Sequence, residues 1–132
     1  MKVKLPHQNR IVDRRELICK AIKGTSVLHI GCTDSPYTKE RAESDHLLHQ
    51  ALQKSARYLA GIDVNREDIE IMKKYGIKNL FFCDIYHINN NTLPNIKFDH
   101  IVLSEVLEHL PNAGLALKEL RSFIDRNNKK AH

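Results

Sequence analysis

Four short apolar runs recur along the chain, and each stops at a glycine or at a polar or acidic residue. The runs are rich in β-branched and aromatic residues, and stretches such as VLHI, LFF and HIVL are continuously apolar. This pattern is typical of strands that are covered on both faces of a sheet. The predicted strands are Ser26 to Ile30, Tyr58 to Ile62, Asn79 to Cys83 and Phe98 to Ser104.

Helical periodicity fills the intervals between these strands. Apolar residues at three- and four-residue spacing predict helices at about 14–23, 45–57, 65–75 and from Pro111 onward. Residues 32–45 are polar and contain Pro36, so a long connection is predicted there. Strands that alternate with helices indicate a doubly wound α/β fold, a mainly parallel sheet with helices on both faces. Such sheets bind ligands beyond the carboxyl ends of their strands.

Composition narrows the class of protein without changing this picture. The 132 residues, 42% of them apolar and 28% charged, are enough for one globular domain over 1–132. The formal charge of +5 comes from the first 23 residues, so 1–24 are expected to form a basic arm and a helix. These basic residues have no aromatic residues between them, which favours a solvated face over a nucleic-acid partner.

The spacing of the cysteines and the lengths of the apolar runs indicate the cellular compartment in which the protein is expected. Cys19, Cys32 and Cys83 are odd in number and widely spaced, which favours reduced thiols in a cytoplasmic protein. The start of the chain has no apolar signal-like region, and no run of about 18 apolar residues predicts a membrane span.

The first predicted strand ends in a turn with too few glycines for a dinucleotide site. The turn, Gly31-Cys32-Thr33-Asp34-Ser35, has one glycine where a pyrophosphate-binding turn has three, and Asp34 would repel a diphosphate. This disfavours NAD and FAD. A cofactor without phosphates and with a positive centre fits better, and an empty turn after a strand-ending glycine is the alternative.

Acidic residues follow the next strands. Asp63 can accept hydrogen bonds from both hydroxyls of a ribose, and Asp84 is placed to accept from an adenine amino group, with Ile85 beside it for ring contact. Ser104 and Glu105 follow the fourth strand, at the floor of the same crevice. A single acid at a strand end is usually a helix cap or a solvated group. Three consecutive strand ends in register predict a nucleoside site instead.

These strand ends resemble the motifs of class I S-adenosylmethionine-dependent methyltransferases. VLHIGCTDS is similar to their first motif, GIDVN to the ribose-binding strand end, FFCDI to the adenine-binding turn, and FDHIVLSEVLEHL to the fourth-strand motif. The resemblance spans 26–124 and implies a Rossmann-like sheet of strand order 3-2-1-4, S-adenosylmethionine as cofactor, and methyl transfer to a small-molecule or glycan-type acceptor. It assigns no catalytic residue. The residues that it places at the cofactor are His29, Gly31, Cys32, Thr33, Asp63, Val64, Asp84, Ile85, Ser104 and Glu105.

Three positions depart from the family's first motif. His29 stands where an acid helps to hold the methionine ammonium, and Thr33 and Ser35 stand where glycines are usual. A neutral imidazole can still accept a hydrogen bond from an ammonium, but it adds no countercharge. Weaker cofactor affinity is therefore expected, and Asp34 is the candidate for the missing negative charge.

The turn after the fourth strand carries a candidate metal site. Glu105, Glu108 and His109 resemble a set that small-RNA 2′-O-methyltransferases of this superfamily use to hold Mg²⁺, and such ligands suit a divalent ion. Glu108 and His109 equally fit a helix cap, and no later strand supplies a fourth ligand. No metal is therefore predicted. His46 and His49 are expected at the surface or in packing.

The resemblance implies seven strands, whereas four are predicted here. The fourth strand would then lie at an edge, although its apolar residues 101–103 suit a covered strand. Truncation of a longer protein is the favoured expectation, and a homodimer or a partner chain through this strand is the alternative. Two other functions stay open: a non-catalytic binding or assembly module with this fold, and an RNA methyltransferase that uses the basic arm.

Overall fold

The computed structural model describes residues 2–5, 10–88, 93–94, 96–103 and 113–130. The strands are β1 (Lys2–Leu5), β2 (Arg10–Asp13), β3 (Ser26–Ile30), β4 (Tyr58–Asp63), β5 (Leu80–Phe82) and β6 (His100–Leu103). The α-helices are α1 (Arg14–Ala21), α2 (Thr38–Glu43), α3 (Leu48–Ser55), α4 (Arg66–Lys74) and α5 (Ala113–Lys130), and a 3₁₀ turn covers Ile85–His87.

Four parallel strands form the central sheet in the order β5-β4-β3-β6. These are the third, second, first and fourth predicted strands, so the order 3-2-1-4 and the α/β Rossmann-like fold are confirmed. Leu28 pairs with Ala60 on one side and with Ile101 on the other, which places β3 inside the sheet with all five of its residues buried. Within the described part of the chain, β6 is an edge strand.

Helices cover both faces of the sheet, and the side chains of each strand alternate between these faces. Leu28 and Ile30 of β3 pack with Ile62 of β4 on the face that α5 covers with Phe123. The opposite face carries a second buried cluster of Ile22, Val27, Leu52, Leu59 and Val102. Since both faces are packed, the carboxyl ends of the strands are held in fixed positions.

The amino-terminal arm forms an antiparallel hairpin that the sequence did not predict. Lys2 of β1 pairs with Asp13 of β2, so Asp13 ends a strand immediately before α1 begins. Helix α1 ends at Ala21, two residues before its predicted end.

The predicted connection 32–45 contains the short helix α2, whose Thr38 and Ala42 are buried. The following helix begins at Leu48 instead of near Asp45. Asp45 has a φ of 61°, a left-handed conformation that an α-helix does not continue through. The segment between α2 and α3 is therefore a turn, although its polarity predicted only a loop and a helix start.

Two compositional expectations concern the thiols and membrane segments. Cys19, Cys32 and Cys83 are free cysteines in the structure. Among the helices of the described ranges, none combines the length and the apolar character needed to cross a bilayer.

Candidate functional site

The turn after β3 is held against the end of β4. Gly31 has a φ of 79°, a conformation that glycine adopts without steric cost. Its N–H donates to the carbonyl oxygen of Ile62 over 2.9 Å, and the N–H of Cys32 donates to the same oxygen over 3.3 Å. The predicted turn residues therefore lie beside the strand that carries Asp63.

Asp63 ends β4 with a carboxylate that is already engaged within the chain. Its Oδ2 accepts from the N–H of Thr33 at 3.1 Å and from the Thr33 hydroxyl at 2.8 Å, and its Oδ1 accepts from the N–H of Asn65 at 2.9 Å. A carboxylate has about four acceptor positions. One position on Oδ1 is left by these bonds, so a ligand that uses both oxygens must displace the Thr33 hydroxyl.

The end of β5 lies next to the end of β4. The N–H of Cys83 donates to the backbone oxygen of Asp63 over 3.0 Å, which brings the exposed Asp84 to the same edge as Gly31. Oδ1 of Asp84 accepts from the N–H of Tyr86 at 2.9 Å and so caps the 3₁₀ turn. The structure thus brings Gly31, Asp63 and Asp84 together at one edge of the sheet.

The other predicted site residues are placed differently. Ile85 is 5% exposed and belongs to the core under α5, whereas Val64 is 62% exposed. Ser104 and Glu105 lie outside the described residues, as do Glu108 and His109.

A cleft of about 190 Å³ lies over the carboxyl end of β3. Its lining residues are Arg15, Ile18, His29, Gly31, Cys32, Thr33, Asp34, Arg41, Leu47 and Leu48. Neither Asp63 nor Asp84 lines it among the described residues. Pockets for small organic ligands span about 300–1,000 Å³. A ligand as large as S-adenosylmethionine would therefore extend out of the cleft onto the neighbouring strand ends.

A pair of buried histidines lies beneath this cleft. Nδ1 of His29 and Nδ1 of His49 are 2.9 Å apart, and the two ring planes lie within 12° of each other with centroids 5.2 Å apart. Burial, and then the neighbouring His49, lower the pKa of His29 well below its usual value, and burial lowers the pKa of His49 to about 4. Both rings are neutral at neutral pH, and one Nδ1–H donates to the other Nδ1.

The expected negative charge at Asp34 is paired within the chain. Its carboxylate forms an ion pair with Arg41, whose guanidinium lies 4.9 Å from the centre of the Tyr37 ring. Across the cleft, Arg15 of α1 donates to the carbonyl oxygen of His46 over 2.9 Å. The charge of Asp34 is therefore balanced by that of Arg41. The sequence assigned no role at the site to either Arg41 or Arg15.

The hydroxyl of Thr38 links the turn after β3 to helices α2 and α4. This buried hydroxyl accepts from the N–H of Asp34 and donates to Oδ2 of Asp68, both over 2.8 Å. The loop after β3 is thereby fixed to both α2 and α4. Sequence reasoning missed this role, because the two partners lie 4 and 30 residues away in the chain.

An exposed aromatic ring lies beside the acidic strand ends. Phe82 pairs in register with Asp63 and is 48% exposed, and the guanidinium of Arg66 lies 4.3 Å from its ring centre. The sequence predicts a strand at Phe82 but assigns this residue no functional role. A flat apolar face next to two carboxylates could contact a nucleobase.

The cysteines and the described acids and histidines offer little redox or metal chemistry. Burial, and then the charge of Asp63, raise the pKa of the Cys32 thiol, and burial and Asp84 raise the pKa of Cys83 to about 11. Both thiols are therefore protonated at neutral pH and are poor nucleophiles. No cluster of three His, Cys, Asp or Glu side chains suited to a metal ion occurs within the described ranges.

The parallel four-stranded sheet of order 3-2-1-4 fits the class I S-adenosylmethionine-dependent methyltransferase fold. A family model described as a methyltransferase domain matches residues 28–127, and the chain belongs to that family. No curated protein matches the chain.

Proposed function

We propose that this methyltransferase domain binds S-adenosylmethionine and transfers its methyl group to a small-molecule or glycan-type acceptor. One observation carries the proposal: hydrogen bonds from Gly31 to Ile62 and from Cys83 to Asp63 align three strand ends into one edge with two carboxylates. The family match is the second support.

The residues at this edge fit an adenosyl group. The remaining acceptor position on Oδ1 of Asp63 suits a ribose hydroxyl, and the exposed carboxylate of Asp84 suits an exocyclic amine. The half-exposed ring of Phe82 and the exposed side chain of Val64 offer apolar surface for a purine. When bound, S-adenosylmethionine supplies an electrophilic methyl group on a sulfonium sulfur.

The cleft fits the other end of such a cofactor. Its volume of about 190 Å³ accommodates a part of the molecule the size of an amino acid, and buried His29 and Cys32 form its base. The chain's own contribution to catalysis is to hold the methyl donor in one orientation relative to an acceptor, because alignment supplies much of the acceleration of a displacement reaction.

Calorimetric titration with S-adenosylmethionine and S-adenosylhomocysteine tests the proposal. We expect saturable binding of both, and a loss of about tenfold or more in affinity for Asp63→Asn, which removes a charged hydrogen-bond acceptor. Glu70→Gln, which removes an exposed carboxylate on α4, is the matched control and should bind as the unaltered chain does. Absence of saturable binding, or equal affinities for all three chains, would contradict the proposal.

A non-catalytic module with this fold is the second candidate, and the bonds from Thr33 to Asp63 favour it. They occupy Oδ2 of the expected ribose ligand, and neutral His29 adds no countercharge in the cleft. Transfer of isotopically labelled methyl from S-adenosylmethionine to a pool of small metabolites and oligosaccharides separates the two candidates. Labelled product supports the enzyme, and cofactor binding without labelled product supports the module.

A further inference from the structure

The two oxygens of the Asp63 carboxylate are held by two different segments of the chain. Oδ2 accepts from the backbone N–H of Thr33 in the turn after β3, and Oδ1 accepts from the N–H of Asn65 at the start of α4. Both segments are bonded in turn to Asp68 in the first turn of α4, one through the side chain of Thr38 and the other directly. Asp63 and Asp68 therefore belong to one closed ring of hydrogen bonds.

Asp68 reaches the turn after β3 through the hydroxyl of Thr38. A hydroxyl has one hydrogen, and that of Thr38 is donated to Oδ2 of Asp68 over 2.8 Å. The lone pairs of the same oxygen are then directed to the N–H of Asp34, which donates over 2.8 Å. The N–H of Asp34 comes one residue after that of Thr33, so the bond to Thr38 also helps to direct the Thr33 N–H at Asp63.

Asp68 reaches the other oxygen of Asp63 through Asn65. The backbone N–H of Asp68 donates to the side-chain oxygen of Asn65 over 3.0 Å and so caps α4. The N–H of Asn65 in turn donates to Oδ1 of Asp63 over 2.9 Å. Thr38 is 1% exposed, and Asn65 and Asp68 are partly buried. Water therefore competes little for these bonds, and the charged acceptors strengthen them.

We propose that Asp68 is a positioning residue, which holds Asp63 and the turn after β3 in the arrangement that the bound nucleoside needs. This inference rests on the proposed function, in which Asp63 accepts from a ribose hydroxyl. Asp68 is not among the described residues that line the cleft, so it acts on the ligand through Thr38 and Asn65. A site that is ordered before binding has a higher affinity, because the ligand does not have to supply the free energy of ordering.

Calorimetric titration with S-adenosylhomocysteine tests this role. Asp68→Ala removes the acceptor of the Thr38 hydroxyl and keeps the backbone N–H that bonds Asn65. We expect this variant to bind about fivefold more weakly, at a temperature well below the unfolding midpoint of each chain. Glu67→Ala is the matched control, because it removes an exposed carboxylate from the same turn of α4. It should bind within about twofold of the unaltered chain.

Two further variants show whether Asp68 acts through the hydroxyl of Thr38. Asp68→Asn keeps a side-chain oxygen that can accept from this hydroxyl, so it should recover most of the lost affinity. Thr38→Val should weaken binding about as much as Asp68→Ala does. The double variant should bind no more weakly than either single variant, because both substitutions break the same connection.

Amide hydrogen exchange, measured by NMR on the chain without ligand, tests the ring itself. The N–H groups of Thr33 and Asp34 should exchange several-fold faster in Asp68→Ala than in the unaltered chain, because the turn opens more often. The Glu67→Ala chain should show no such change.

The outcomes separate this inference from the proposed function. Weaker binding and faster exchange in Asp68→Ala alone support the role of Asp68. A lower unfolding midpoint with unchanged affinity makes Asp68 a stabilising residue only, and an equal loss of affinity in Glu67→Ala makes the effect one of charge. Either result overturns the inference while the proposed function stands. Absence of binding by the unaltered chain overturns the proposed function, and the role of Asp68 with it.

Discussion

Gly61 leaves the space that the ring of His49 occupies: a β-carbon at Gly61 would lie 2.7 Å from Cε1 of His49 and 3.0 Å from Cβ of Cys32. Gly61 is buried in β4, next to His29 of β3 in the register of the sheet. A single missing side chain on β4 thus allows α3 to insert His49 against the sheet. The histidine pair beneath the cleft therefore depends on a glycine outside the first motif.

The variant Gly61→Ala should destabilise the domain by about 1–3 kcal/mol, because the added methyl overpacks the site against two side chains. Urea unfolding monitored by circular dichroism measures this change. The same substitution in a His49→Ala background is the control, since the shorter side chain removes the 2.7 Å contact. A cost that stays the same in that background would show that the Gly61 site does not couple to His49.

The buried histidine pair should make the domain less stable as the pH falls below neutrality. Burial lowers the pKa of His49 to about 4 and that of His29 well below its usual value, so the native rings stay neutral while the unfolded chain takes up protons below about pH 6.5. The contribution of this pair to stability is therefore largest well above pH 6.5 and falls by about 1 kcal/mol per pH unit and per histidine between pH 6.5 and 5.

Urea midpoints between pH 7.5 and 5 measure this slope. His49→Gln removes one of the two buried rings and should make this slope smaller. A stability that is constant over this range would show that the two rings are not held neutral in the folded state.

The strands were predictable because burial on both faces leaves a local signature. All five residues of β3 are buried, and four of them read as the continuous apolar run VLHI. The acids at the strand ends were predictable for a related reason, since parallel strands deliver their carboxyl ends to one edge. Asp63 and Asp84 are found there, next to the glycine turn.

Other features have no local signature. The contact of His29 with His49 joins residues 20 positions apart. The sequence around each histidine looks the same as the sequence around a buried aromatic residue, so it does not indicate a pair. Helix α2 buries only Thr38 and Ala42, too few residues to produce a periodic pattern in a polar segment with a proline. The bonds from Thr33 to Asp63 likewise depend on the turn that brings the two strand ends together.

Thr38 should be required for stability although its side chain is small. Thr38→Val keeps the volume but removes the acceptor for the N–H of Asp34 and the donor to Asp68, which leaves polar groups without their partner in a partly buried site. We expect a loss of about 1–3 kcal/mol in thermal or urea unfolding.

Thr38→Ser keeps the hydroxyl and should recover most of this loss. Ser44→Ala removes an exposed hydroxyl near the end of α2 and should change stability by less than about 0.5 kcal/mol. A Thr38→Val chain as stable as the Thr38→Ser chain would mean that the hydroxyl bonds contribute nothing net.

Thr33 should limit cofactor affinity under the proposed function. Its hydroxyl and its N–H both donate to Oδ2 of Asp63, so a ribose hydroxyl competes with the side chain for that oxygen. Thr33→Ala removes the competing hydroxyl and keeps the backbone bond of 3.1 Å. We expect the variant to lose about 1 kcal/mol of stability and to bind S-adenosylhomocysteine several-fold more tightly, because a charge-assisted acceptor becomes available to the ligand.

Thr33→Ser separates this effect from a change in the space above the turn. Serine keeps the hydroxyl that bonds Asp63 and removes only a methyl group, so its affinity should stay near that of the unaltered chain. If the serine and alanine variants tighten binding equally, the methyl group of Thr33 is what obstructs the ligand. The hydrogen bond from the Thr33 hydroxyl to Asp63 then does not compete with the ligand. If alanine weakens binding, the Thr33 hydroxyl helps to hold Asp63 in the orientation that the ligand needs, and the bond supports the site instead of competing with it.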